Sequence, residues 1–252
     1  MALLATEAIV LHAFDYLESS RIIRLLTREA GVQSVLARGA RKSRGRYGSA
    51  LDLFAEGTAQ IYVKPNRELH NLAGFEISAT RSGLGEDVGR FTAASTVSEL
   101  ALRFGSEEAS THLYDTVAEV LDRIAVSSPE RTLEVGLAAC WRIVSVLGFT
   151  PELDSCSLCH TPQRDSDDAT FSHVSGGIVC ASCARLSPGG RRLPSAARTA
   201  IREWLEGGST AVSEVEARSH QRLLREFLGA HLTDDRPLRA FAVWEHERWS
   251  AA

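Results

Sequence analysis

Four of the five cysteines fall into two pairs, Cys156-x-x-Cys159 and Cys180-x-x-Cys183, separated by twenty residues. Two residues between ligands let both sulfurs of a turn meet one ion at about 2.3 Å, and two such turns close a tetrahedral site with no open position. Structural Zn2+ is the expected occupant, with Cys156, Cys159, Cys180 and Cys183 as its ligands. Gly176 and Gly177 suit the tight turn before the second pair, and His160 and His173 could each replace a thiolate. Redox-active pairs are the alternative; a thioredoxin-type motif would place one pair at a strand-to-helix junction and would not need two facing each other. Cys140 lies beside the apolar stripe of a helix and reads as a small buried residue. A saturated site does no Lewis-acid work; it folds a segment that buries little else. A zinc deaminase would need His-x-Glu and Pro-Cys-x-x-Cys, but Ser155 and Val179 precede the pairs here and the one His-Glu sequence is the adjacent His246-Glu247.

The second concentration of chemistry is basic. Arg38, Arg41, Lys42, Arg44 and Arg46 lie within nine positions without an acid among them, in a chain of net charge −4. Arginine and lysine are the commonest phosphate contacts. Gly39, Gly45 and Gly48 would allow close backbone approach, and Tyr47 offers a ring on which a base could stack. A solvated surface loop is the alternative, and it would show no dependence of binding on salt. Arg21 and Arg24 on the second expected strand, with Tyr62 on the fourth, are candidates for a binding face. They also fit ordinary alternating polar positions.

No catalytic set accompanies these features. Lys42-Ser43 lacks the glycines of a phosphate-binding loop, with Arg41 and Leu36 where glycine would be needed. The Gly-x-Ser-x-Gly, His-Glu-x-x-His and dinucleotide glycine signatures are absent. Binding without turnover, and without a nucleotide, is therefore expected.

The elements that must position these groups fall into two kinds. Segments 6–14, 20–27, 32–37, 54–63 and 69–77 are rich in β-branched, aromatic and leucine residues and are separated by turn formers. Five short strands in about eighty residues fit a small closed barrel of the oligonucleotide-binding (OB) type, although an SH3-like barrel would look similar. From residue 88 the apolar period becomes helical, over 88–104, 111–125 and 130–148, where Leu133, Leu137, Trp141, Val144 and Leu147 share a face. Two more helices are expected at 195–208 and 213–232, the second opened by the Ser213/Glu216 capping box and carrying a stripe from Val215 to Leu232. The fold class is thus α+β multidomain: an OB-type barrel over 1–80, an α-helical domain over 81–150 and 191–252, and an inserted zinc-ribbon-like module over 151–190.

Charge follows this division: residues 1–75 carry net +3, 76–150 net −5, 151–190 net −3 and 191–252 net +1. One region suited to a polyanion beside others that are not is the pattern this suggests. Hydrophobic residues make up 44% of the chain, enough for a real core. No apolar run approaches membrane-spanning length and no leader pattern opens the chain, so a cytoplasmic location is expected, with no membrane partner. An odd cysteine count in pairs favours metal over disulfides.

The order of these parts resembles the bacterial recombination-mediator RecO family. The resemblance is carried by "TEAIVLHAFDYLESSRIIRLLTREAGVQSVLARGARK", "LDLFAEGTAQIYV", "LEVGLAACWRIVSVLGFTPELDSCSLC" and "FSHVSGGIVCASC", and it spans essentially the whole chain. It implies an OB domain, a helical domain and a zinc module, in a protein that binds single- and double-stranded DNA through basic residues of the barrel. It also implies strand annealing and, with RecR, help in loading RecA onto DNA coated by single-strand-binding protein (SSB), at the nucleoid. DNA contact is carried over only to the cluster Arg38 to Arg46. Where the family has a glycine after the second cysteine, this chain has His160. An acidic SSB tail would need a basic, partly apolar groove, expected near Arg191, Arg192 or Arg198. Competing functions are a zinc-ribbon and barrel adaptor in transcription or RNA metabolism, and a zinc hydrolase, which would require an open coordination position.

Overall fold

The computed structural model describes residues 2–41, 47, 49–186, 189–232 and 236–246. The chain divides into two compact units, Met1–Val126 and Ser127–Ala252. The first opens with β1 (Ala2–Tyr16), β2 (Ser20–Thr27), β3 (Gly31–Ala37), β4 (Glu56–Val63) and β5 (Leu69–Ala79). These strands close into a barrel in the order β1-β2-β3-β5-β4, in which β3 and β5 run parallel and the other neighbours antiparallel. Alternation sends Val10, Ile23, Leu25, Val35, Ile61 and Leu72 into the interior. A bulge between Val10 and His12 shifts the register of β1, so that Ala13 takes the next inward position.

Helices α1 (Val88–Phe104) and α2 (Thr111–Ala125) have the bounds their periodicity suggests. The Asp87 and Ser110 side chains cap them by accepting from the backbone N–H groups of Arg90 and Leu113. Both helices belong to the barrel's unit, so the compact division falls at 126 and not at 80. The physical reason is Arg81. Its buried guanidinium donates to Glu56 of β4 and to Asp122 of α2, both at 2.6 Å, and to the Phe54 carbonyl at 2.9 Å. The Tyr114 hydroxyl of α2 also donates to Glu56, at 3.0 Å.

In the second unit a 3₁₀ turn at Pro129–Arg131 leads into α3 (Thr132–Val146). There follow β6 (Ala169–Ser172), β7 (Gly177–Val179), α4 (Ala181–Leu186) and β8 (Arg191–Leu193), the strands forming a sheet of order β7-β6-β8. Then come α5 (Ser195–Leu205), α6 (Glu214–His231) and α7 (Arg239–His246). Helix α3 packs against α5 and α6, with the Trp141 and Phe227 rings 5.3 Å apart. The capping box forms: Glu216 N–H donates to Ser213 Oγ, and Ser213 N–H donates to the Glu216 carboxylate. Val215 departs from the expected stripe and is exposed. No described helix is long and apolar enough to cross a membrane.

Candidate metal centre and nucleic-acid interface

The four cysteines of the two pairs converge. Their sulfurs all lie within 4.8 Å of one another, and the contact between the pairs, Cys159 Sγ to Cys180 Sγ, is 3.8 Å. A tetrahedron of sulfurs around an ion at about 2.3 Å has edges of about 3.8 Å, whereas a disulfide would bring two sulfurs to about 2.05 Å. The donor set therefore fits one tetrahedral thiolate-bound ion. The second pair does begin at a strand-to-helix junction, between β7 and α4, so location alone would not exclude redox chemistry; the shared space of four sulfurs distinguishes the two readings. His160 and His173 are not in the cluster. The His173 ring instead lies 2.8 Å from Glu226.

Backbone geometry explains how each turn forms. Cys156 N–H donates to Thr161 O at 2.9 Å, and His160 N–H donates to Cys156 O at 2.8 Å. His160 stands at φ 59°, the left-handed conformation that glycine adopts most easily. In the second turn Cys183 N–H donates to Cys180 Sγ at 3.5 Å. Burial opposes the Cys156 thiolate, but the backbone N–H groups of Cys180, Cys159 and Leu158 outweigh it and bring this thiol down to about 6. Hydrogen bonding to Cys180 and Cys159 pushes the Cys183 thiol up to about 12. Gly176 has φ 73°, and a Cβ at Gly177 would stand 2.3 Å from the Glu152 carbonyl oxygen. The fifth cysteine, Cys140, is fully buried in α3, and burial pushes its thiol up.

Two buried or half-buried arginines hold the metal segment against α5. Arg198 Nε donates to Leu153 O at 2.6 Å and Nη1 to Arg164 O at 2.8 Å, with Nη2 reaching Gln163 O at 3.3 Å. Arg202 adds Leu153 O at 2.9 Å and Asp165 at 2.8 Å. Arg198 is 1% exposed, so it is a brace for this segment and cannot line a groove for an incoming peptide. Sequence reading missed this role because the carbonyls it gathers are distant in the chain.

The basic candidates separate. Lys42, Arg44 and Arg46 lie outside the described residues. Arg38 is exposed. Arg41 sits against the β1–β2 hairpin: its N–H donates to Ser19 O at 3.1 Å, Nη1 donates to Leu17 O at 3.1 Å, and Nε lies 3.3 Å from Asp15. Arg21 pairs across the strands with Asp15, Nε to Oδ1 3.3 Å. Tyr47 corrects the expectation of a stacking ring. It is 6% exposed within the barrel core and donates its hydroxyl to Leu72 O at 3.0 Å. Its apolar ring completes the core while its polar tip finds a carbonyl.

Arg21 and Arg24 are three residues apart on β2 and so point to opposite faces. Arg21 follows the inward parity of Ile23 and Leu25. Arg24 faces outward and is half-buried, donating Nη2 to Leu102 O in the last turn of α1 at 3.3 Å. Tyr62 is exposed on β4 opposite Leu3, whereas Arg24 is opposite His12, at the other end of β1. Arg21, Arg24 and Tyr62 therefore do not form one face. Phe14 and Tyr16, exposed on the outward side of β1, were not singled out by the sequence.

A cavity of about 590 Å³ opens in the second unit between β8, the start of α5 and the first turns of α6, with Arg191, Arg192, Ala197, Val215, His220 and Leu223 among its walls. Arg191 is paired with Glu226 and Arg192 with Asp168. Burial brings His220 down to about 4, so its ring is neutral.

Together these features define a two-unit protein, a closed five-stranded barrel with helices and a helical unit carrying a four-thiol centre able to hold a metal ion. Residues 1–81 match the family model described as Recombination protein O N terminal, and residues 85–240 that of Recombination protein O C terminal. The chain belongs to the RecO family. It is 34% identical over 232 residues to the DNA repair protein RecO of Anaeromyxobacter sp. (strain K), covering 89% of this chain and 88% of that protein. Against the DNA repair protein RecO of Gloeobacter violaceus it is 32% identical over 232 residues, covering 90% and 87%.

Proposed function

We propose that this chain is a DNA-binding recombination mediator in DNA repair. It binds single- and double-stranded DNA and anneals complementary strands. With RecR it helps load RecA onto SSB-coated single-stranded DNA. The observation that carries this reading is membership of the RecO family across both halves of the chain. The barrel is of the OB type, and its DNA surface comprises Arg38, Arg41, Lys42, Arg44 and Arg46, with Arg21 at the same end as Arg41. Guanidinium charge lowers the repulsion between strands, so annealing needs no fuel. The protein acts at the nucleoid and turns over no substrate.

Cys156, Cys159, Cys180 and Cys183 would hold one Zn2+, whose chemistry would be a fixed cross-link within 151–190. The acidic SSB tail enters the cavity beside Arg191 and Arg192. Replacing Arg192 by Glu is expected to abolish binding of a labelled SSB-tail peptide in fluorescence anisotropy, and unchanged binding would remove this assignment.

The decisive experiment is annealing of SSB-coated complementary oligonucleotides by the wild type and by a variant with Arg41, Lys42, Arg44 and Arg46 changed to Ala. The wild type is expected to accelerate annealing and the variant to lose most of that effect. If all five basic residues of the cluster meet one strand, raising salt from about 50 to 200 mM should weaken binding roughly a hundredfold. Preference for RNA over DNA would instead support an adaptor in transcription or RNA metabolism.

A further inference from the structure

The Asp15 carboxylate lies between two guanidinium groups from different parts of the chain. Arg21 Nε is 3.3 Å from Oδ1, and Arg41 Nε is 3.3 Å from Oδ2. Guanidinium groups recognise carboxylate and phosphate by the same charge-assisted hydrogen bonds. Two of them converging on one anion make a site that either anion can fill. Resting on the DNA-binding reading above, we propose that Asp15 is an internal substitute for a DNA phosphate, which single-stranded DNA must displace from Arg21 and Arg41 in order to bind.

Two observations carry this. Arg41 is held independently of Asp15, through its N–H to Ser19 O and through Nη1 to Leu17 O, while the β1–β2 and β2–β3 ladders fix the backbone of Arg21 opposite Asp15 and Ala37. If the carboxylate leaves, Arg41 therefore stays in place with Arg21 in reach of the same incoming anion. The carboxylate can leave cheaply, because its side chain is 55% exposed and can turn into water. Phe14 and Tyr16 flank Asp15 on β1 and so expose their rings on the opposite face of the strand; the site recognises the phosphate of the strand and not its bases.

The site sits at the end of the barrel, beyond the inward-facing Ala13 and Ile23. Asp15 then sets how strongly and how salt-dependently the protein holds a single strand. It would keep resting affinity low enough for the strand to be released after annealing.

The test is anisotropy titration of fluorescein-labelled oligo(dT) at two salt concentrations with the wild type, Asp15→Asn, Arg21→Ala/Arg41→Ala, and the triple variant, each checked for folding by circular dichroism. Asp15→Asn is expected to tighten binding roughly three- to tenfold at low salt, the range that release of two exposed ion pairs allows. Its log–log salt slope should steepen by about 0.7 for each added phosphate contact. The gain should vanish in the Arg21→Ala/Arg41→Ala background. An equal gain in both backgrounds would mean a general charge effect and would overturn the proposal, as would wild-type binding with no gain in Asp15→Asn. Should the wild type itself ignore oligo(dT) even at low salt, the DNA-binding reading falls, and the proposal with it.

Discussion

Tyr47 closes the barrel core with its ring and satisfies its own hydroxyl on Leu72 O. Tyr47→Phe should cost about 1 kcal/mol, the net worth of that hydrogen bond. Tyr47→Ala should cost about 3–5 kcal/mol through the cavity it leaves. Urea unfolding measures both, and a loss of DNA affinity by folded Tyr47→Phe would contradict the structural assignment. His160 occupies a left-handed position that histidine tolerates better than most side chains and a β-branched residue does not. His160→Gly should therefore retain the metal, whereas His160→Val should release it faster to a chromogenic chelator.

At the scale of elements, single buried arginines hold strands, loops and helices together. Arg81 binds β4 to α2 through Glu56 and Asp122. Arg81→Met would leave Glu56 partly buried without its cation and should destabilise the barrel unit by about 3–5 kcal/mol. Arg81→Met/Glu56→Gln should recover part of that loss, as measured by thermal unfolding. Arg198 binds α5 to the carbonyls of Leu153, Gln163 and Arg164. Arg198→Ala should speed metal loss from the thiol centre without changing any ligand, because removing the guanidinium leaves three carbonyls without this donor and loosens the segment that carries the first cysteine pair.

For the molecule as a whole, acid should act through the second unit. Burial depresses His220 from 6.5 to about 4. An unfolded chain then binds the proton more readily than the folded one, so stability is complete above about pH 6.5 and falls as pH drops toward 4. Between pH 7 and 5 the loss should be about 2 kcal/mol. Denaturant titration at the two pH values checks this, and His220→Gln should flatten the difference. Removing the metal should expose 151–190 to protease and leave oligonucleotide binding unchanged, since the expected DNA contacts are in the first unit. That division was partly legible beforehand. Strand and helix periods gave β2, α1 and α2 their bounds, because each has a long or strongly patterned apolar repeat. By contrast, β6, β8 and α7 are short, and pairing or packing with distant residues makes them what they are.

Sequence by itself determined the features that depend on local spacing: the two Cys-x-x-Cys turns, the Ser213/Glu216 cap, the alternation of the barrel strands, and the presence of concentrated positive charge. Tertiary structure decided which of those groups are available. It buried Tyr47 and Arg198, and placed Asp15 between Arg21 and Arg41. The physical reason is that ligand spacing and side-chain period are properties of neighbouring residues, whereas burial and ion pairing depend on what the rest of the chain brings to the same place.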